Sequence, residues 1–385
     1  MSKLWNKNFI ALLLTNLFTA NCFYILLAVV PLFVVEGLQM SKSHVGLVMG
    51  AFSITGVLTR PIAGFLLDNI GRRVIYIVAL SLFMLCTVGY IFTATFITLL
   101  TLRLMHGVGW GLVSTSGSTV AADVIPPSRR AEGLGYFGMS MSIGMAMGPA
   151  LGVFMLKYLP FEDVFIYSAI FALASVLFGL SIKMPPFERK AVKFSIKALV
   201  EKRVLGLALI FMFYGISYGS VMGFAILYGN QLNVHNSGLF FLIFAIVMII
   251  IRPIVGKRLD RGGVGHSMGF GLLLVMGAIF MLSRATGQTL YFAAAVLLGV
   301  GGGIVVPLLT AMTMNVVPAN RRGAASATVY TCLDIGIGGG GVLFGRIADL
   351  WGISTMYTIS CVFLIVPLIF YYARERGYYE ANKNI

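Results

Sequence analysis

Charge is scarce in this 385-residue chain, and negative charge above all, since Asp and Glu together number only 13. Charged residues make up 11% of the sequence, against about 25% in soluble domains, so the composition excludes two or three ordinary soluble domains. Only four cysteines are present, all within apolar runs, which disfavours a disulfide framework or a cysteine-based metal site. The sequence also lacks a Walker motif and a kinase loop, so we do not expect ATP to drive this protein.

The sequence consists mainly of long apolar runs. Hydrophobic residues make up 59% of the chain, and a membrane-spanning helix needs roughly 20 mostly apolar residues. The runs are too long for barrel strands and do not alternate with a period of two. We therefore predict an all-α integral membrane protein whose twelve transmembrane helices form two pseudo-symmetric six-helix bundles. The spans are expected near residues 9–35, 45–67, 74–95, 97–122, 132–156, 163–182, 204–228, 237–256, 267–284, 289–315, 324–347 and 354–373.

The second half of the sequence repeats the first at a constant offset of 192 residues. The pair Arg60-Pro61 returns as Arg252-Pro253. Five glycines, at 107, 109, 111, 144 and 148, return as glycines at 299, 301, 303, 336 and 340. Two parallel copies of a hydrophobic unit are typical of transporters, whose substrate site lies between the halves near the bilayer midplane. We predict an N-terminal bundle over residues 1–182, a cytoplasmic linker over 183–203 and a C-terminal bundle over 204–385.

The net charge of +15 could indicate a nucleic-acid partner, but its distribution favours another reason. Most Lys and Arg residues fall in segments on the same side of the membrane as the N-terminus, which is the positive-inside bias. We therefore expect a multi-pass protein of the plasma (inner) membrane with both termini in the cytoplasm, and no nucleic-acid partner. The stretch 183–203 opens with Pro185 and Pro186. The apolar residues that follow among lysines predict a short amphipathic helix on the inner membrane surface, and they are Phe194, Ile196, Leu199 and Val200.

Three motifs resemble those of the major facilitator superfamily. The loop after the second span is similar to the signature G-x-x-x-D-x-x-G-R-R, matched at Gly64, Asp68, Gly71, Arg72 and Arg73. Span four resembles the element R-x-x-x-G-x-G, matched at Arg103, Gly107 and Gly109. Span five resembles the element G-x-x-x-G-P-x-x-G of the twelve-span drug/proton antiporters, matched at Gly144, Gly148, Pro149 and Gly152.

The resemblance implies a conformational latch at the inner ends of the helices. In the family, the acid that matches Asp68 faces the N-terminus of span eleven, and the arginine that matches Arg72 pairs with an acid at the end of span four, where this chain has Asp123. A latch of this kind must be weak enough to reopen. Another interpretation is that Arg72 and Arg73 only set topology. The span-five glycines likewise have two interpretations, simple close packing or a bending seam that limits leakage.

One acid lies deep inside a predicted span. Asp334 falls about eleven residues into span eleven, near the midplane at ~1.5 Å per residue. A charged side chain there costs at least ~2.5–3.5 kcal/mol, so such residues usually serve a pathway or a proton relay. We predict that Asp334 binds and releases the coupling proton. The alternative is a protonated structural acid that is hydrogen-bonded to a neighbouring helix.

Span four carries an unusual polar face. Arg103, His106 and Trp110 follow one another at spacings of three and four, which places them on one side of a helix. The repeat has apolar or small residues at the matching positions, so these side chains are not required by the scaffold alone. We predict roles for Arg103 and His106 in proton coupling, with a packing role for His106 as the alternative. The family resemblance implies that spans one, four, seven and ten line the cavity, which assigns to it Asn16, Asn21, Tyr24, Trp110, Tyr214 and Tyr218.

The sequence thus predicts a secondary transporter that exports small amphipathic molecules in exchange for protons by alternating access. We expect no catalytic residues, no metal and no cofactor, a proton gradient as the energy source, and a monomer whose partners are its small-molecule substrate and the lipid bilayer. Alternatives within the class are a proton-coupled importer and an exporter of a specific metabolite such as a metal chelator. Outside it, a membrane-embedded enzyme would need a paired metal or nucleophile constellation, and a channel would conduct far faster than a carrier.

Overall fold

The computed structural model describes residues 4–126, 129–184, 200–259, 264–318 and 322–382, and within these ranges it contains helices and no β-strand. The amphipathic helix that we expect in the linker falls largely on residues 185–199, outside the described residues. The prediction of an all-helical chain is confirmed for the part of the protein that the structure describes.

Six long helices form the first half of the chain. They are α1 (Lys7–Leu32), α2 (Lys42–Asn69), α3 (Arg72–Gly89), α4 (Phe96–Val124), α5 (Arg130–Leu156) and α6 (Phe161–Ser181). A π-helical turn, Phe33–Gly37, extends α1. The starts of these helices follow local sequence signals, since the Asn6 side chain accepts a hydrogen bond from the Phe9 N–H (3.0 Å) and Thr95 accepts one from the Thr98 N–H (3.3 Å). Such side chains satisfy N–H groups that the first helical turn leaves unpaired.

The second half contains α7 (Leu205–Gln231), α8 (Leu239–Leu259), α9 (Val264–Ser283), α10 (Gln288–Asn315), α11 (Arg322–Phe370) and, after a π-helical turn (Tyr371–Glu375), α12 (Arg376–Asn382). The long helix α11 changes direction at Gly352, whose φ of 80° lies in the left-handed region that favours glycine. This residue divides α11 into two arms, which correspond to the two last predicted spans.

Nine helices of the described chain are long and apolar enough to cross a membrane, and the ninth covers 58 residues and contains the bend at Gly352. Two shorter apolar helices, Leu239–Arg252 and Ser267–Ser283, accompany them. With the arms of α11 taken separately, the arrangement is consistent with twelve spans.

The chain divides into two compact units. The first contains Met1–Gln39 and Ala51–Phe194, and the second contains Met40–Gly50 and Ser195–Ile385. The first turns of α2 therefore belong to the second unit, although the rest of that helix belongs to the first. The division into bundles at 1–182 and 204–385 with a linker at 183–203 stays a prediction.

Small residues bring α5 against α1 in the first unit. A Cβ atom added at Gly144 would lie 2.5 Å from the Ala20 methyl, and one added at Gly148 would lie 2.6 Å from the Tyr24 Cβ. Neither position has room for a side chain. The span-five motif therefore forms a seam where two helix backbones approach closely.

The second unit packs its matching helices in the same register. Gly336 lies against the backbone of Met212, and Gly340 lies against the backbone of Ile216, so α11 approaches α7 as α5 approaches α1. The offset of 192 residues that relates the glycines also relates the residues they contact. Thus the repeat in the sequence is a repeat of helix packing.

A carboxylate caps the start of α2 within the second unit. Asp349, at the end of the first arm of α11, accepts hydrogen bonds from the backbone N–H groups of Lys42 and Ser43, both at 2.7 Å. The negative charge also complements the positive end of the α2 dipole. The cap therefore ties residues 40–50 to α11.

We expect Asp349→Ala to destabilise the protein by about 1 kcal/mol, the usual cost of losing a helix cap. Thermal unfolding in detergent, followed by intrinsic fluorescence, measures this. Asp349→Asn keeps one carbonyl acceptor at the same place and should lose less. Equal midpoints for Asp349→Ala and the parent protein would show that these two hydrogen bonds do not hold α2.

Candidate functional site

The first unit contains a partly open cavity of about 210 Å³ among α1, α3, α4 and α5. Its lining mixes aromatic rings with hydroxyl and amide groups and includes Asn16, Thr19, Tyr76, Trp110, Ser114, Phe137 and Met141. A few polar groups in a mainly apolar and aromatic concavity are typical of small-molecule sites. This cavity is therefore the candidate substrate site.

Asn16 holds the α1 wall of the cavity to α5. Its side-chain N–H group donates to the Phe137 carbonyl at 3.0 Å and to the Ser140 hydroxyl oxygen at 2.8 Å. Because a backbone carbonyl can only accept, the amide nitrogen must face Phe137, which settles the orientation of the amide. Neither of these bonds uses the carbonyl oxygen of the Asn16 side chain.

Trp110 lies on the α4 wall, in a stack of rings. Its indole is parallel to the Phe23 ring, with centroids 4.0 Å apart and an interplanar angle of 9°. Phe23 also contacts Tyr24 and Phe52, with centroids at 4.9 and 5.6 Å. The predicted cavity residue Tyr24 therefore belongs to the aromatic shell behind Trp110, whereas Trp110 itself lines the cavity.

Arg103 and His106 lie elsewhere. Although they share a helix face with Trp110, they are buried in an aromatic cluster and are not among the residues that line the cavity. The guanidinium carbon of Arg103 is 5.3 Å from the centre of the Phe52 ring and 5.8 Å from that of Tyr90. Such contacts offset part of the cost of burying a cation.

The His106 ring is enclosed by the same cluster. Its Nδ1 lies 3.0 Å from the Tyr90 hydroxyl, and its ring centre lies 4.5 Å from that of Phe83. Its Nε2 is buried and has no hydrogen-bond partner among the described residues. The sequence did not indicate that Tyr90 contacts His106, because Tyr90 lies in a short 3₁₀ turn after α3 and not on the polar face of span four.

We expect Tyr90→Phe to destabilise the protein by about 1–3 kcal/mol, because it leaves Nδ1 of the buried His106 ring without its partner. The midpoint of thermal unfolding in detergent measures the loss. Tyr158→Phe removes a hydroxyl from a tyrosine that is 74% exposed and serves as the matched control. Equal midpoints for the two variants would contradict the expectation.

The motif at residues 64–73 contributes to an ion pair within the first unit. The Arg72 guanidinium contacts the Asp123 carboxylate, with the two side chains 37% and 17% exposed. Gly71 begins α3 with a φ of 123°, a conformation that favours glycine. Arg73 is exposed, Gly64 has no atom within 4 Å of an added Cβ, and the side chain of Asp68 lies outside the described part of the structure. The latch role of these residues stays a prediction.

The remaining predicted residues are distributed over both units. Asn21 is buried in α1 and donates to the Leu17 carbonyl at 2.9 Å, away from the cavity lining. In the second unit, Tyr214 stacks on Tyr218 with centroids 5.8 Å apart. Asp334 lies in the first arm of α11 and is partly buried. No group of three or more potential metal-binding side chains occurs within the described ranges.

Comparisons with known proteins agree on one family. The sequence model of the Major Facilitator Superfamily matches residues 12–341 and 207–384. The chain is 26% identical to the staphylopine export protein of Staphylococcus aureus, with 88% of this chain and 89% of the relative covered. It is 25% identical to multidrug resistance protein 1 of Bacillus subtilis, with 89% and 90% covered.

Solved structures show the same fold. The nucleoside transporter NupG has a TM-score of 0.85 at 13% identity, with 96% of this chain and 99% of that chain covered. The human organic anion transporter MFSD10 has a TM-score of 0.71 at 19% identity, with 95% and 99% covered.

Proposed function

Because the chain belongs to the major facilitator superfamily, we propose that it exports small amphipathic molecules across the membrane in exchange for protons, by alternating access. The cavity of the first unit carries this proposal. Trp110, Tyr76 and Phe137 supply aromatic surface, and Asn16 supplies a polar group held in one orientation. A ligand with one apolar and one polar part matches such a lining.

The proton coupling rests on Asp334. The relatives named for multidrug resistance and for staphylopine export support the outward direction. A partly buried acid within an apolar helix suits a group that takes up and releases a proton. Arg103 and His106 are second-line candidates for the proton path, since both are buried polar groups on a spanning helix.

A second candidate is the export of a specific metal-chelating metabolite. The similarity to the staphylopine export protein, which extends over 88% of this chain, favours it. This candidate differs from the first in the exported molecule and not in the transport cycle.

The proposed setting is the plasma (inner) membrane with both termini in the cytoplasm, as the positive-inside bias predicts. The Arg72–Asp123 ion pair would act as one part of the inner latch, with Asp68 as the other. The Gly144–Gly152 seam would allow α5 to move against α1. The protein would act as a monomer and draw on the proton gradient without a cofactor.

Proton movement in inside-out vesicles, reported by a pH-gradient dye, tests the proposal. Lipophilic amines, weak acids, neutral drugs and a metal chelator are added in turn, with vesicles that lack the protein as the control. Collapse of the gradient by amphipathic compounds is the expected result, and collapse by the chelator alone would favour the second candidate. If the proton gradient drives substrate toward the cytoplasmic face, the protein is an importer, and the proposed outward direction of transport is wrong.

A further inference from the structure

We propose that Asp349 is an outer latch of the transport cycle. Its carboxylate holds the first turns of α2 on α11 while the outer side is closed, and it releases them when that side opens. The inference rests on the proposed function, because alternating access is what requires the release, and on the proposed orientation, which places Asp349 at an outer helix end. In this role Asp349 touches no substrate and is a positioning residue.

Helix α2 is shared between the two units. It runs from Lys42 to Asn69 as one helix, yet residues 40–50 belong to the second unit and the residues from Ala51 onward belong to the first. If the two halves rock against each other during transport, α2 cannot keep both sets of contacts. One set must therefore break and re-form in every cycle.

The part of α2 after residue 50 is fixed to α4 within the first unit. A Cβ added at Gly107 would meet the carbonyl of Phe52 and the hydroxyl oxygen of Thr55. The Phe52 side chain is buried, and its ring centre lies 5.5 Å from that of His106. Withdrawing a buried ring from a packed cluster leaves a cavity, which is costly. We therefore expect this set of contacts to persist.

The first turns of α2 meet α11 mainly through backbone. A Cβ added at Gly46 would meet the carbonyl of Gly341, and one added at Gly345 would lie 2.9 Å from the carbonyl of Lys42. Glycine on both sides of this contact lets the backbones approach closely and leaves little side chain to interlock. The two helices can therefore part here without pulling a large side chain out of a core.

Asp349 supplies a polar hold on this contact. It accepts hydrogen bonds from the N–H groups of Lys42 and Ser43, both at 2.7 Å. These N–H groups lie in the first turn of α2, where the helix itself offers them no partner. Water can replace the carboxylate on them when α2 leaves α11, so the net strength of the hold is modest. A hold of this size keeps the contact closed and still allows it to open in each cycle.

The first test measures whether α2 leaves α11. Met49 is 7% exposed, and its Cβ lies 3.4 Å from the position of a Cβ added at Gly341, so a cysteine there reacts when the contact opens. Met49→Cys is introduced into the protein after its four natural cysteines are replaced, and intact cells are treated with a membrane-impermeant maleimide. We expect Asp349→Ala to raise the labelling rate about fivefold, the change in population that corresponds to one helix cap.

Asn6→Ala is the matched control for stability. It removes a helix cap of the same kind, the hydrogen bond from the Phe9 N–H to the Asn6 side chain (3.0 Å), from α1 in the first unit. It should lower the midpoint of thermal unfolding as Asp349→Ala does and leave the labelling of Met49→Cys unchanged. Equal labelling rates in Asp349→Ala and the parent protein would overturn the inference, and so would an equal rise in Asn6→Ala.

The second test separates a latch from a frayed helix end. A bulky maleimide on Met49→Cys blocks the return of α2 to α11. Inside-out vesicles from the labelled cells should therefore show no proton exchange with the compound that collapses the gradient most strongly in the unlabelled protein. The same modification of Tyr158→Cys, at a side chain that is 74% exposed after α5, should leave exchange intact.

The outcomes of this test distinguish the latch from the transport proposal. Full proton exchange after modification of Met49→Cys would overturn the latch, because transport would then not need the contact to re-form. Absence of exchange in the unmodified protein would instead contradict the transport proposal, and the labelling rates of Met49→Cys would still decide whether Asp349 holds α2 on α11.

Discussion

Asp334→Asn should eliminate substrate-driven proton exchange while the protein still folds. Asparagine has nearly the shape of aspartate but cannot bind or release a proton, so the variant removes the chemistry and keeps the packing. Asp334 lies twelve residues after the first residue of α11, or ~18 Å along the helix axis at ~1.5 Å per residue. A carboxyl so far from the start of an apolar span is costly to keep, which supports a functional reason for it.

The measurement is the dye response of inside-out vesicles to the best substrate, which should fall to the level of vesicles without protein. The midpoint of thermal unfolding in detergent should stay at that of the parent protein, because asparagine keeps the packing. Glu162→Gln, in the exposed first turn of α6, removes a carboxylate at a span end and should couple normally. If Asp334→Asn retains coupling, the proton path must use His106 or an acid at a span end.

The helical fold and the repeat could be predicted from the sequence because both follow from simple patterns. A spanning helix needs a long apolar run, and close contact between two helix backbones needs small residues such as glycine. For this reason the offset that relates Gly148 to Gly340 also relates their contacts, Tyr24 and Ile216. The Arg72–Asp123 pair, by contrast, was implied by the resemblance to the family and not by a pattern of charges alone.

The sequence could not predict which residues of α4 line the cavity and which lie in the aromatic cluster. Helical spacing places Arg103, His106 and Trp110 on one face, but it does not tell which neighbouring helix covers each part of that face. In the structure, Tyr90 covers the first two residues, whereas Trp110 opens to the cavity. The partners of Asn16 on α5 lie more than 120 residues away in sequence, and no local pattern connects such distant groups.

The second large effect concerns the contact between α7 and α11. Gly340→Ala should destabilise the protein by about 3 kcal/mol, because the new methyl would meet the backbone carbonyl of Ile216. A carbonyl in a helix cannot move aside as a flexible side chain can, so the two helices must separate and lose their packing. Overpacking typically costs about 1–3 kcal/mol, and a backbone obstacle places this variant at the upper end.

Gly339→Ala is the matched control, since a Cβ added there has no atom within 4 Å and alanine is the better helix former by roughly 1 kcal/mol. The two variants differ by one position on the same helix, yet the first should unfold well below the parent protein and the second at or above it. Thermal unfolding in detergent and the yield of monodisperse protein measure the difference. Equal midpoints would mean that α11 does not approach α7 as closely as the glycine contacts indicate. Because Gly148 has the matching contact with Tyr24, a loss at Gly340 predicts a loss of similar size for Gly148→Ala.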